Sequence, residues 1–380
     1  MPIRFTVIKK SKKSNARLGL LKTRHGVIET PALIPVATQA VIKSLTTAEV
    51  VLTGTQALIA NTFHLHLKPG EMMVKKHGGL HRFMQWKQPL MTDSAGYQVF
   101  SLGFGMDHKV GKILKRKSEN QVSHPSAQPQ NVKITETGVH FRSPVDGSPL
   151  FIGPRESIRI QEALGADIIF AFDECTPPTA SHAYTKKSLE RTHHWAGQCL
   201  KYKKSKQALF GIVQGGRFKD LRIESAKAVA GMPFDGFGIG GEFGGDKRTM
   251  VQMIRWVIDE LPESKPRHLL GIGYLEDVPK VIKAGVDTFD CIVPTHFARH
   301  GVAFTSVGQL DMRKRFFLND TKPLDPRCGC EVCQTYSRGY ITHLLRAKEI
   351  TPLRLLTFHN LFFFNAFVAK IREGIRQGKM

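Results

Sequence analysis

The sequence predicts an α/β protein, a (β/α)8 barrel with a C-terminal zinc-binding subdomain. Three features predict it: short apolar runs that alternate with helical patterns, polar residues at the ends of those runs, and cysteines clustered near the C-terminus. The eight runs are 31–37 (PALIPVA), 57–61 (ALIAN), 89–93 (PLMTD), 166–174 (ADIIFAFDE), 208–214 (ALFGIVQ), 234–241 (FDGFGIGG), 267–273 (RHLLGIG) and 287–292 (DTFDCI). Runs this apolar suit strands covered on both faces, as in a parallel sheet.

Helical patterns fill the intervals: 157–164 stopped by Gly165, a long one within 181–202, 218–230 before Gly231, 249–261 before Pro262, and 275–284 before Gly285. An open doubly wound sheet is the alternative architecture. Residues 103–135 break the rhythm; from Lys109 to Lys133 the chain is basic, then rich in Ser, Gln and Pro, and reads as a long loop. The expected division is a barrel over 1–322 and a zinc subdomain with a closing helix over 323–380.

The composition is globular: 41% of the 380 residues are apolar and 23% charged, which excludes a disordered or collagen-like chain. No uninterrupted apolar run reaches the ~18 residues of a spanning helix. The nearest candidate, 355–371, is broken by His359, Asn360 and Asn365. Met1-Pro2-Ile3-Arg4 lacks the apolar core of a secretory signal, so the expected location is the cytoplasm, with no membrane partner.

Lys and Arg number 55 against 32 Asp and Glu, a formal net charge of +23. That surplus points to a polyanion, most simply a nucleic acid, with a membrane surface as the rival. The charge is clustered. Residues 1–28 hold eight Lys or Arg and no acid, 108–118 hold Lys109, Lys112, Lys115, Arg116 and Lys117, and 338–380 hold eight more against Glu349 and Glu373. Together they suggest a spread footprint on phosphates.

In a barrel, chemistry collects at the C-terminal ends of the strands. Here those ends carry Asn61, Asp93, Asp173, Gln214, Gly240, Gly241, Gly273 and Asp290. Ordinary turn chemistry explains the glycines. It does not explain three carboxylates together with the amide of Gln214, so the pattern points to an enzyme.

The run Cys328-Gly329-Cys330-Glu331-Val332-Cys333 offers three thiolates, and in a chain of this kind argues for zinc rather than disulfides. A closed tetrahedral site needs a fourth ligand, with His359 and His343 as candidates. Four protein ligands make such a site structural. The isolated Cys175, Cys199 and Cys291 read as small buried hydrophobes.

Several longer stretches carry a specific likeness: ANTFHLHLKPG (60–70), TDSAGYQVFS (92–101), AFDECTPP (171–178), LFGIVQGG (209–216), LLGIG (269–273), FDCIVPT (289–295) and CGCEVCQTYSRGYITHLLRA (328–347). Through them the sequence resembles the tRNA-guanine transglycosylases over nearly its whole length. The resemblance implies a (β/α)8 barrel with one structural zinc on Cys328, Cys330, Cys333 and His359. It implies exchange of the wobble guanine of tRNAs whose anticodons begin G-U (Asp, Asn, His and Tyr type) for a 7-deazaguanine base. It also implies a homodimer.

The family nucleophile maps to Asp290 and its companion to Asp93, for proton transfer or for holding the nucleophile and ribose. A carboxylate suits the first role because an oxocarbenium-like transition state seeks an anionic oxygen. Base recognition maps to Asp173, Gln214 and Gly241, with Ser94 beside them, Tyr97 stacking on one face of the base and Leu270 packing the other. A carboxylate accepts from both N1–H and the exocyclic amine of guanine, a pair adenine lacks.

The sequence departs from the family pattern at named places. Ala95 stands where the family usually has Gly. In GIGGEFGGDK (238–247), Glu242, Phe243, Gly244 and Asp246 replace the Leu, Ala, Val and Glu of typical bacterial members. Gly244 removes a side chain beside the 7-substituent, which favours queuine, with its cyclopentenediol, over the smaller preQ1. Of two arginines expected for the anticodon loop, one is His296 and the other is Arg299. Lys115 and Arg116 of the basic loop are candidate replacement contacts. Two further readings compete: a non-catalytic tRNA-binding partner subunit, which the presence of Asp93 and Asp290 opposes, and a barrel glycoside hydrolase, which leaves the zinc run and the charge unexplained.

Overall fold

The computed structural model describes residues 2–100, 132–241 and 247–380. Eight parallel strands close into a barrel: β1 (Ala32–Ala37), β2 (Leu58–Ala60), β3 (Leu90–Thr92), β4 (Ile168–Phe170), β5 (Ala208–Val213), β6 (Gly236–Ile239), β7 (Arg267–Leu269) and β8 (Thr288–Cys291). Each pairs with its neighbours in chain order, and β8 pairs with β1 to complete the ring. All eight apolar runs therefore contain a barrel strand, and the doubly wound alternative falls.

The strand interiors follow the two-residue period of extended chain. Ile168, Phe170, Ala208, Phe210 and Ile212 pack together inside the barrel, while Ile169, Leu209 and Val213 pack outward under the helices. β6 shows why glycine alternates in FDGFGIGG. A Cβ at Gly236 would meet the Phe210 ring at 2.5 Å, and one at Gly238 would meet Phe170 and Ile212 at 3.2 Å. Two aromatic rings fill the space that β6 leaves open.

The five expected helices are present as Pro154–Leu164, His182–Tyr202, Lys219–Ala230, Lys247–Ile258 and Val278–Ala284. The first starts three residues early, because Pro154 fits a first helical turn and the Glu156 carboxylate accepts the Gly153 N–H at 3.2 Å. Gly165, at φ +76°, ends it.

Two three-stranded antiparallel sheets were not anticipated. Strands Arg4–Lys10, Arg17–Thr23 and Gly26–Thr30 form one, and its Leu21 and Ile28 join the barrel's interior cluster. It covers the end of the barrel where the strands begin. The other is formed by Val132–Ile134, Val139–Arg142 and Pro149–Ile152. It corrects the expectation of a loop through residue 135: Val132 and Ile134 are buried and paired with Phe141 and Val139. The rest of that interruption, 101–131, lies outside the described residues.

After β8 come the helix Val293–Arg299, the hairpin Val302–Thr305/Gly308–Asp311, and the helices Glu331–Thr335, Arg338–Arg346 and Thr351–Arg376. The last packs on Val293–Arg299 and on β1. The polar residues that interrupt it are what fix it. Asn360 donates to the carbonyls of Pro294 and Val302 at 3.0 and 2.9 Å and accepts from Phe304 N–H at 2.9 Å. Asn365 donates to Thr53 O and Thr55 Oγ1, each at 3.0 Å. Phe364 is fully buried, and Phe362 and Phe363 are half-buried against the core. Among the described residues no helix is long and apolar enough to cross a membrane.

Candidate functional site

The polar residues named from the strand ends converge at one end of the barrel. Asp93 follows β3 directly. Its Oδ1 accepts the N–H groups of Thr62 (2.9 Å) and Ala95 (3.2 Å), and its Oδ2 accepts from the amides of Asn61 (2.6 Å) and Gln98 (3.1 Å). Burial nonetheless pushes its pKa up to about 7, and the neighbouring Asp290 carboxylate pushes the same way against those donors. The two aspartates therefore sense each other across the barrel mouth. The turn after Asp93 holds Ala95 at φ +69°, a left-handed conformation that explains why glycine is the usual choice there.

Asp290 lies within β8. Its Oδ1 accepts the Gly271 N–H at 2.9 Å and lies 3.1 Å from His268 Nε2. His268 was missed in the sequence. It is fully buried, and its Nδ1 is 2.9 Å from Thr288 Oγ1. The signal was present: His268 pairs with Thr288 in register, and Asp290 stands two residues further along the same strand face.

Asp173, just beyond β4, is buried. Ser94 Oγ donates to its Oδ1 at 2.8 Å and Gln214 Nε2 to its Oδ2 at 2.6 Å. Ser94 thus orients Asp173. Gln214 Oε1 is buried and has no hydrogen-bond partner among the described residues, an unspent acceptor beside Asp173. Glycine is required around this group. A Cβ at Gly96 would meet the Asp173 backbone and carboxylate at 2.5 and 2.7 Å, and one at Gly241, where φ is +89°, would meet Gln214 Oε1 at 2.6 Å. Arg222, also missed and fully buried, donates to the carbonyls of Gly216 (2.7 Å) and Gly240 (3.0 Å), tying the loops after β5 and β6 together. Behind Asp173, Glu174 is held by Arg191 and by the Tyr184 hydroxyl at 2.9 Å. Tyr97 and Leu270 are both half-buried, Tyr97 against the core outside the barrel and Leu270 against its interior cluster.

Cys328, Cys330, Cys333 and His359 come together and are all buried. The three sulfurs lie 3.8, 3.4 and 3.3 Å from His359 Nδ1. A tetrahedral zinc with ordinary Zn–S and Zn–N bonds gives an S···N edge of about 3.5 Å, so the donor set fits that ion. His359 Nε2 lies 2.8 Å from the Phe304 carbonyl, the outer contact that leaves Nδ1 for a metal. His343 is exposed and away from the cluster.

A family model described as queuine tRNA-ribosyltransferase matches residues 11–380. The chain belongs to that family. It is 46% identical to the queuine tRNA-ribosyltransferase of Caldanaerobacter subterraneus subsp. tengcongensis, covering 100% of this chain and 95% of that one. It is 44% identical to the enzyme of that name from Halothermothrix orenii, over 99% and 95% of the two chains. This chain is accordingly a pentosyltransferase with a zinc-type cluster.

The remaining expected residues of the transferase are less gathered. His296 and Arg299 lie on the helix Val293–Arg299, which follows Asp290; His296 is exposed, and Arg299 donates to Thr295 O at 2.9 Å. Partial desolvation of its ring, with His300 and Arg299 nearby, lowers His296 from the usual imidazole range. Gly244, Lys115 and Arg116 lie outside the described residues. Arg17 leaves the phosphate footprint: its guanidinium is buried on Asp287, with bonds of 2.8 and 2.6 Å. Cys175, Cys199 and Cys291 are buried, and burial pushes the last two up to about 12.

A second group, His25, His81 and Asp167, sits at the opposite end of the barrel. His25 Nδ1 and His81 Nε2 lie 2.7 and 3.3 Å from the two Asp167 oxygens. The two rings are stacked at 3.6 Å and only 23° apart. In-plane nitrogen lone pairs of parallel rings do not converge on one ion. Asp167 also accepts the Leu90 N–H at 3.0 Å, so the group is a hydrogen-bonded clasp between the N-terminal sheet, β3 and β4.

Proposed function

We propose that this enzyme exchanges the wobble guanine of G-U-anticodon tRNAs for a 7-deazaguanine base by double displacement, as a cytoplasmic homodimer. The observation that carries the reading is the coupling of Asp93 and Asp290 at one barrel mouth, beside the Asp173–Gln214 pair. Asp290 attacks C1′ of the ribose. The C1′–N9 bond breaks, its electron pair leaves with guanine, and guanine takes up a proton. N9 of the incoming base then loses a proton and attacks C1′, displacing Asp290. A carboxyl whose pKa is about 7 can give the first proton and accept the second, so Asp93 takes that role.

Asp173 accepts from N1–H and the exocyclic amine of the base, while Gln214 and the Gly241 N–H meet O6. Tyr97 and Leu270 enclose its faces. Phosphates fall to Arg299, His296 and the basic loop with Lys115 and Arg116. Zinc on Cys328, Cys330, Cys333 and His359 supplies fold stability, because four protein ligands leave no open position. The barrel over 1–322 and the zinc subdomain over 323–380 act as one catalytic unit.

Queuine is the proposed incoming base, on the ground of glycine at 244; preQ1 is the alternative. A tRNA radiolabelled in its wobble guanine tests both. Label release by queuine but poorly by preQ1 supports the reading, and release by preQ1 alone discards it. No release by either base would favour the partner-subunit reading.

A further inference from the structure

His268 is a buried histidine in β7 whose ring lies against Phe170, centroids 5.4 Å apart. Its Nε2 stands 3.1 Å from Asp290 Oδ1 and its Nδ1 2.9 Å from Thr288 Oγ1. The same Asp290 oxygen accepts the Gly271 N–H at 2.9 Å. When the Thr288 hydroxyl donates to Nδ1, the ring proton resides on Nε2 and points at Asp290. One carboxylate oxygen then receives two N–H donors, one from rigid backbone and one from a solvent-excluded ring.

We propose that His268 is a positioning residue that fixes the Asp290 carboxylate for attack and then stabilises it as the leaving group of the second displacement. This rests on Asp290 as the nucleophile. In the covalent intermediate one Asp290 oxygen is bonded to C1′ and the carboxylate charge is gone. When N9 of the incoming base attacks, the C1′–O bond breaks and its electron pair returns to Asp290. The restored charge spreads over both oxygens, and the donors at Oδ1 are already aimed at it. His268 transfers no proton in this scheme. Its donor favours departure of Asp290 and slightly restrains attack by it, so its loss falls on the second half-reaction.

The test compares His268→Phe, which has no donor, with His268→Gln, whose amide N–H can reach Asp290. The full-length protein is mixed with a G-U-anticodon tRNA, then with excess free guanine, and RNA–protein adduct is followed on denaturing gels beside steady-state kinetics. For His268→Phe the expected result is a fall in kcat of about tenfold to a hundredfold, a KM for tRNA that falls with it so that kcat/KM for tRNA is little changed, and adduct that persists after guanine is added. His268→Gln is expected to restore kcat to within about fivefold of the parent. If His268→Phe does not fold, His268→Met takes its place.

Parental kcat in a donor-less variant overturns the proposal. So does an equal loss in the Gln and Phe variants without persistent adduct, since that is a packing effect. Asp290→Asn run alongside separates the two claims. If it still forms adduct, the nucleophile assignment fails, and the proposal with it. If adduct depends on Asp290 but not on residue 268, His268 alone is refuted.

Discussion

Replacing Asp93 by Asn tests the electrostatics of the site without altering its shape. Burial and the Asp290 charge raise Asp93 from 3.8 to about 7. Between those values the folded protein holds a proton that the unfolded chain has released. Stability from this group is therefore complete below about pH 4 and is lost as pH rises through 7. The full difference corresponds to about 4 kcal/mol, of which about 2–3 kcal/mol falls between pH 5 and pH 8. Partial exposure of the carboxyl trims that to about 2 kcal/mol. Asn carries no such cost. Its amide nitrogen faces donors from Asn61 and Gln98, but that penalty does not vary with pH. The relative stability of Asp93→Asn should thus rise by about 2 kcal/mol from pH 5 to pH 8, measured by urea unfolding with tryptophan fluorescence. Base exchange should be lost at both pH values. Parallel stability profiles for the two proteins would refute the claim that Asp93 is strained by burial and by Asp290.

Other substitutions follow from the packing. Gly236→Ala would drive a methyl into the Phe210 ring and should destabilise the barrel by about 1–3 kcal/mol, read as a lower thermal midpoint. Asp173→Asn replaces a double acceptor by one acceptor and one donor. It should reduce kcat/KM for the base by about a hundredfold or more with tRNA affinity unchanged, by filter binding and exchange kinetics. Zinc should be present at one ion per chain by mass spectrometry. His359→Ala should lose it and lower the unfolding midpoint by more than about 5 °C, because His359 joins the terminal helix to the cysteine run.

The barrel was legible because parallel strands buried on both faces leave unbroken apolar runs, and because carboxylates at their ends have no cheaper structural reason to be there. Asp93, Asp173 and Asp290 were readable on that basis. The alternation of glycine in β6 was visible, but its cause was not: Phe210 and Phe170 fill the gaps from strands distant in sequence. His268 was overlooked because a histidine inside RHLLGIG looks like an ordinary polar interruption until register places it beside Asp290. Arg222 was overlooked because it sits on an amphipathic helix, where an arginine normally faces water. The N-terminal sheet was hidden by its lysines, which suggested part of a footprint on phosphates. In the structure Leu21 and Ile28 of that segment plug the barrel, and Arg17 is spent on Asp287.

The most direct test of the account is whether tRNA becomes covalently attached to Asp290. The parent protein and Asp290→Asn would each be incubated with a G-U-anticodon tRNA in the absence of free base, then denatured and separated on a gel. The account predicts a shifted RNA–protein band for the parent alone, mapping to the peptide that contains Asp290 and reversed by adding free guanine or queuine. An adduct of equal yield in the Asp290→Asn protein, or one that maps to another carboxylate, would contradict it.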